Sequence, residues 1–286
     1  MSKVASSTAA SGAEASAGID WGLAARQARG VLRLEIGRQL FGRRALAAAF
    51  LAFAPPMLLV LWVFNPLDAM QGPLDATPLF AGLYAGYHGT ALFLGCLVLF
   101  MSAYRSDILE RSLHYYFLTP VRREVLTVAK YLAALCAAAL FFSLGTALLF
   151  FMTFVPWGFG ELGRYLAGPG LGNLMTYVGL SILGCIGYGA LFLLFGQLFR
   201  NPVVPGVVFW GWEFLNPFLP ALLKKLSVTF YLRSLYPVPV STSTFAVFAD
   251  PMSPWIAVPG LLLFSALVLA LASWRARTME IHYGGD

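Results

Sequence analysis

Charged side chains are scarce in this chain. Asp, Glu, Lys and Arg supply 11% of its 286 residues, where a soluble domain carries roughly a quarter. Hydrophobic residues supply 59%, more apolar surface than a single core of this size hides. A cytosolic enzyme, a secreted disulfide scaffold and a disordered protein are excluded together, and lipid is the expected solvent. Cysteine is nearly absent too. Cys96, Cys136 and Cys185 each sit in an apolar run without CxxC spacing. That excludes a disulfide framework or a zinc site and leaves them as small core hydrophobes.

Catalytic signatures are missing as well. There is no GxxxxGK[ST] to cradle nucleotide phosphates, and GPGLGN at 168–173 lacks the lysine. HExxH, GxSxG and carboxylates paired at catalytic spacing are absent. His88, His114 and His282 are too far apart to form one metal site. No catalytic, cofactor-binding or metal-ligating residues are therefore assigned, and nothing points to nucleic acid. The Ala/Ser/Gly tract at 5–18 lacks the apolar core of a signal peptide, so residues 1–19 are expected to be a disordered cytoplasmic tail.

Long apolar runs are what the chain has in place of these. Six are long enough for a membrane-spanning helix of about 20 residues: 45–66, 79–103, 126–155, 173–199, 202–222 and 255–274. None alternates as a barrel strand does. The expected fold is an all-α membrane protein with six transmembrane helices in one domain, 45–274, followed by a cytoplasmic tail at 275–286. With the N-terminus inside, 15 of the 19 basic residues fall on the cytoplasmic side. This places both termini in the cytoplasm and the chain in the cell (inner, cytoplasmic) membrane. Pro55-Pro56 is expected to break the first span.

Residues 20–44 are too charged to span. At 100° per residue Arg26, Arg29 and Arg33 fall on one face, and Trp21, Ala28, Val31 and Leu32 fall opposite. This pattern predicts an interfacial helix whose arginines anchor it to anionic headgroups. The outer connections at 67–78 and 156–172 are expected to be loops. The long, apolar, Pro-punctuated segment 216–254 predicts a hairpin of short helices in the outer leaflet, with Lys224, Lys225 and Arg233 reaching headgroups. Within the spans only His88 and Glu213 are ionisable suspects for a substrate path or gate. Structural readings stand beside that one: a buried histidine with one hydrogen bond, and a carboxylate paired with Lys224 or Lys225.

The connection between the second and third spans has a distinct pattern. Asp107 to Arg111 form a charged amphipathic turn, Leu118-Thr119-Pro120 breaks it, Arg122 and Arg123 sit at the lipid surface, and Lys130 caps the third span. A short charged helix held along the membrane is a rigid handle for another protein.

Glu110-Arg111, Leu113, Leu118-Thr119-Pro120-Val121-Arg122-Arg123-Glu124 and Lys130-Tyr131 resemble the pattern of type-2 membrane permease subunits of ATP-binding-cassette (ABC) transporters. The likeness in architecture covers about residues 20–280. Ser112 and His114-Tyr115-Tyr116 depart from the family's Gly-Thr and small apolar residues, and Ala129 stands where a glycine precedes the lysine. The resemblance implies a permease subunit, most simply of an exporter, that pairs with a second permease subunit (the same chain or a paralogue) and two ATPase subunits. The segment 104–125 would be the coupling helix, with Asp107, Glu110, Arg111, Leu113, His114 and Leu118 as contacts, Pro120 setting the turn, and Arg122 and Arg123 anchoring it to lipid. No cofactor is then expected on this chain, ATP-Mg is expected on the partner, and the chain is not itself an enzyme. Competing readings are a secondary transporter or channel working without an ATPase, a membrane enzyme built on His88 and Glu213, and an energy-transducing subunit for an extracytoplasmic partner. The aromatic-rich spans lean towards a hydrophobic or amphipathic cargo.

Overall fold

The computed structural model describes residues 21–61, 72–109, 122–199, 201, 203–224, 226–240 and 252–278. Every regular element among them is helical. Helix α1 (Trp21–Phe41) bends at Gly42 into α2 (Arg43–Leu58). Next, α3 (Thr77–Tyr87) passes through a π-helical turn, His88–Leu92, into α4 (Phe93–Leu109). Helices α5 (Arg123–Phe154) and α7 (Leu171–Leu198) are joined by the short α6 (Gly158–Tyr165). After them come α8 (Val203–Leu215), the short α9 (Ala221–Lys224) and α10 (Val228–Arg233), and finally α11 (Pro254–Arg277). Thr77–Asp107, Arg123–Leu198 and Pro254–Arg277 are long and apolar enough to cross a bilayer. The chain is that of a membrane protein.

The stretch 123–198 is folded back on itself. Ala and Leu favour helix throughout α5, and Glu124 sits favourably in its first turn. Pro156 cannot donate a backbone hydrogen bond, so α5 gives way to a tight turn over Val155–Trp157. Gly158, at φ 84°, then reverses the chain in a conformation that other residues rarely adopt. The connection expected as a loop at 156–172 is largely helical. Exposed Glu161 and Arg164 pair one turn apart on it.

Pro55 and Pro56 lie inside α2 and do not end it. Pro56 has no N–H for the carbonyl of Ala52, and the buried Tyr87 hydroxyl of α3 donates to that oxygen at 3.1 Å. A neighbouring helix thus satisfies the group that proline frees, which is how spans tolerate it. Gly145 of α5 is at the same junction: a Cβ there would lie 2.2 Å from the Tyr87 hydroxyl and 2.6 Å from the Ala52 oxygen. Tyr87→Phe is expected to cost about 1–3 kcal/mol, the range for orphaning a buried carbonyl. The shift in unfolding midpoint in a denaturing-detergent titration measures it.

The core is aromatic, with polar links. Tyr177 packs edge-on against Tyr84 and Phe80 at ring separations of 4.6 and 4.9 Å. The Ser181 hydroxyl donates to the Tyr177 carbonyl and lies 3.0 Å from Tyr84 Oη and 2.7 Å from Thr146 Oγ1. One hydroxyl cluster therefore joins α3, α5 and α7, the interhelical polar contact expected in lipid.

The fifth run was expected to span at 202–222. Helix α8 instead covers only 13 residues, about 20 Å at 1.5 Å per residue, short of the ~30 Å hydrocarbon core. Pro217 and Pro220 stop it, and the chain continues as the short helices α9 and α10.

Candidate functional site

The chemistry-bearing residues concentrate where α1, α4 and α5 converge. Val31 and Glu35 of α1 lie one turn apart and face α5, Val31 packing with Leu126 and Ala129. The buried face of α1 therefore carries a carboxylate. Lys130 of α5 is fully buried and lies 2.5 Å from Glu35 Oε1 and 2.5 Å from Asp107 Oδ2. Arg38 Nη1 is 2.5 Å from the other Asp107 oxygen, Oδ1. Asp107 and Glu35 are 0% and 2% exposed. Two cations and two carboxylates thus meet in one buried network, and such pairing is what lowers the cost of burying charge.

A second layer supports it. Thr127 donates to the Arg123 carbonyl at 2.9 Å, which uses its one proton. Tyr104, 2.5 Å from the Thr127 oxygen, is therefore the donor in that contact. Lys130 Nζ lies 5.8 Å from the Tyr104 ring centroid, at the edge of cation–π range. Nearby, Glu124 pairs with Arg277, and Arg123 donates to the Arg277 carbonyl at 3.1 Å. The end of α11 is tied in this way to the start of α5. At Gly196 of α7 a Cβ would meet the Met101 carbonyl of α4 at 2.8 Å, so α7 ends against α4. The end of α4, the start of α5 and the last turns of α7 and α11 share one end of the bundle.

The residues expected to contact an ATPase divide into two groups. Asp107 is inside the network and not on an open surface. Glu110, Arg111, Leu113, His114, Leu118 and Pro120 lie outside the described residues, as do residues 1–20, the last part of the first run and Lys225. Of the expected membrane anchors, Arg26, Arg29, Arg33 and Arg122 are exposed. Arg123 is half-buried and bound to Arg277. The chain's composition did not signal Glu35 as Lys130's partner. The clue was that Glu35 is the one acid between Arg26 and Arg44, and Lys130 the one cation within its apolar run.

His88 and Glu213 do not form one site. His88 is 1% exposed and lies in the π turn beside the rings of Tyr84 and Tyr188. Its Nε2 has no hydrogen-bond partner among the described residues. A π turn leaves ladder carbonyls to be met from elsewhere, and Trp210 of α8 donates to the Gly89 carbonyl at 2.9 Å. Both oxygens of Glu213 are occupied by the start of α10. Ser227 Oγ donates to one at 2.5 Å and Thr229 N to the same oxygen at 3.1 Å, while Val228 N donates to the other at 3.0 Å. No hydrogen bond joins Glu213 to His88.

A third feature is an open apolar groove of about 640 Å³ between α7 and α8. Phe195, Phe199, Phe209 and Trp212 line it, and Asn201 contributes a polar group. Among the described residues no cluster of His, Cys, Asp and Glu could hold a metal ion. Compared with protein-family models and with curated proteins, the chain matches none.

Proposed function

We propose that this chain is the permease subunit of an ATP-driven transporter, most simply an exporter, with both termini in the cytoplasm of a cell that carries it in its cytoplasmic membrane. A separate pair of ATPase subunits binds ATP-Mg, and a second permease subunit completes the pathway. The observation that carries the reading is the buried network of Glu35, Arg38, Asp107 and Lys130. Asp107 immediately precedes the connector 110–121, and Lys130 lies in the first turns of the helix that follows it. Both are locked to α1 by charge. A push on the connector therefore moves α4, α5 and α1 together, because packed helices joined by buried ion pairs shift as a body. The resemblance of 104–125 to a coupling helix supplies the partner that pushes.

The apolar groove between α7 and α8 favours a hydrophobic or amphipathic cargo. A membrane enzyme on His88 and Glu213 is disfavoured, since Glu213 is fully engaged in capping α10 and the two side chains share no hydrogen bond.

Purification of the full chain from its own membrane tests the proposal. An ATPase with a nucleotide-binding P-loop should co-purify in about equal amount. Glu110→Arg should release it, or leave ATP hydrolysis running without transport, while the helices remain folded by circular dichroism. A chain that purifies alone and transports cargo when reconstituted alone would sink the permease-subunit reading.

A further inference from the structure

We infer that the bend between α1 and α2 is a binding site for the phosphate of an anionic lipid headgroup. A polar cavity of about 260 Å³ opens there, lined by Glu35, Arg38, Gln39, Arg43, Arg44 and Ser106 among others. At ~30 Å³ per water it has room for about eight waters, enough for a phosphate and part of its solvation. Three arginines and one glutamate meet in it; Glu35 is paired with Lys130 and Arg38 with Asp107, each at 2.5 Å, which leaves Arg43 and Arg44 as the cations to be answered. The cavity is left with positive charge in excess.

Its location raises that excess. Arg43 and Arg44 occupy the first turn of a 16-residue helix, the end where the backbone dipole is positive. Cations are disfavoured there unless an anion accompanies them. No acidic residue stands in that turn, and the preceding Gly42 offers no side-chain cap. The first bond of the helix runs from Leu46 N–H to the Gly42 carbonyl at 3.3 Å, so the amides of Arg43, Arg44 and Ala45 come before it and are free to bind an anion. Neither Arg43 nor Arg44 has an ion pair among the described residues.

Gln39 is the independent sign of a ligand. It is only 7% exposed, faces the cavity, and makes no hydrogen bond among the described residues. Its amide opens into the cavity, and a phosphate oxygen there would accept from it. The surroundings choose the source of that phosphate. Phe41 is 87% exposed and Leu46 70% exposed on either side of the bend. A cationic cavity flanked by outward apolar side chains matches an amphiphile, with headgroup inside and acyl chains along Phe41 and Leu46. A free anion would not need them.

The test is native mass spectrometry of the full-length, delipidated chain titrated with phosphatidylglycerol or phosphatidylcholine. Phosphatidylglycerol should be retained at least about tenfold more tightly than phosphatidylcholine. Arg43→Gln and Arg44→Gln should each weaken retention by about tenfold, the loss expected for one charge-assisted hydrogen bond. Both arginines are exposed, so the fold does not depend on them. Gln39→Leu should also weaken it. The combined Arg26→Gln, Arg29→Gln, Arg33→Gln variant should change it by no more than about two- to threefold, since exposed charges beyond the cavity are screened. Equal retention by wild type and Arg43→Gln/Arg44→Gln would overturn the inference. So would an equal loss in the Arg26/Arg29/Arg33 variant, which would mean diffuse surface attraction. If millimolar inorganic phosphate displaces the lipid completely, the pocket is a free-anion site and the lipid assignment fails.

Discussion

Replacing Lys130 by methionine is expected to destabilise the chain by about 3–5 kcal/mol, the cost of removing one partner from a buried ion pair. Lys130 is the hub of its network, bonded at 2.5 Å to Glu35 and to Asp107. Without it Glu35 and Asp107 each lose a buried cation at 2.5 Å, and Arg38, which also pairs with Asp107, has a side chain 36% exposed. The penalty is the desolvation of stranded carboxylates, not the loss of attraction as such. This distinction can be measured. The triple variant Lys130→Met, Glu35→Gln, Asp107→Asn removes the charges that need a cation, and Arg38 can turn to water. Part of the lost stability should return, because a buried neutral amide costs less than a buried unpaired carboxylate. Unfolding midpoints in a denaturing-detergent titration, run as a double- and triple-mutant cycle, read both effects. Wild-type stability for Lys130→Met would show that the network does not hold α1 to the bundle.

The same triple variant separates stability from coupling. Under the proposed function the network carries motion from the connector into α1, α4 and α5. A triple variant that regains stability but whose complex with the ATPase subunits hydrolyses ATP without transport would support that role. Full transport by the stable triple variant would remove it and leave the network as scaffolding.

How much of this was legible in the sequence depends on the range over which each signal acts. The membrane class and the helical character were legible because they follow from composition and from uninterrupted apolar runs, which are local. The exposed face of α1 was legible for the same reason: Arg26, Arg29 and Arg33 share a face by helical spacing alone. Its buried face was not. Glu35 meets a lysine 95 residues away, and no periodicity encodes which distant cation a carboxylate will find. The two prolines of α2 read as a break because propensity treats a helix in isolation. Tyr87, on another helix, supplies the missing donor. The length of α8 was overread because the apolar run continues past Leu215, whereas the backbone stops at Pro217 and Pro220. Hydropathy measured the run but not the donors that proline removes.

Glu213 illustrates the same limit, and its replacement carries the second large expected effect. An isolated carboxylate in an apolar run suggested a gate or an ion pair, but it caps another helix. Ser227 donates its hydroxyl proton to Glu213 and accepts from Phe230 N at 3.3 Å, so the cap of α10 is a relay of two side chains. Glu213→Leu removes the acceptor for Ser227 Oγ, Val228 N and Thr229 N, all in buried surroundings. The expected cost is about 2–4 kcal/mol, more than the ~1 kcal/mol of an ordinary exposed cap because buried donors are orphaned. Glu213→Gln keeps an acceptor oxygen and should cost about half as much. Since α10 is only six residues long, it has little intrinsic helicity to fall back on. Local release should therefore precede global unfolding. Hydrogen exchange of the Val228 and Thr229 amides should accelerate strongly in Glu213→Leu, while α5 and α7 keep their protection. Unchanged exchange at these two amides would show that Glu213 does not hold α10. Exchange that rises equally in every helix would show that α10 has no local opening of its own.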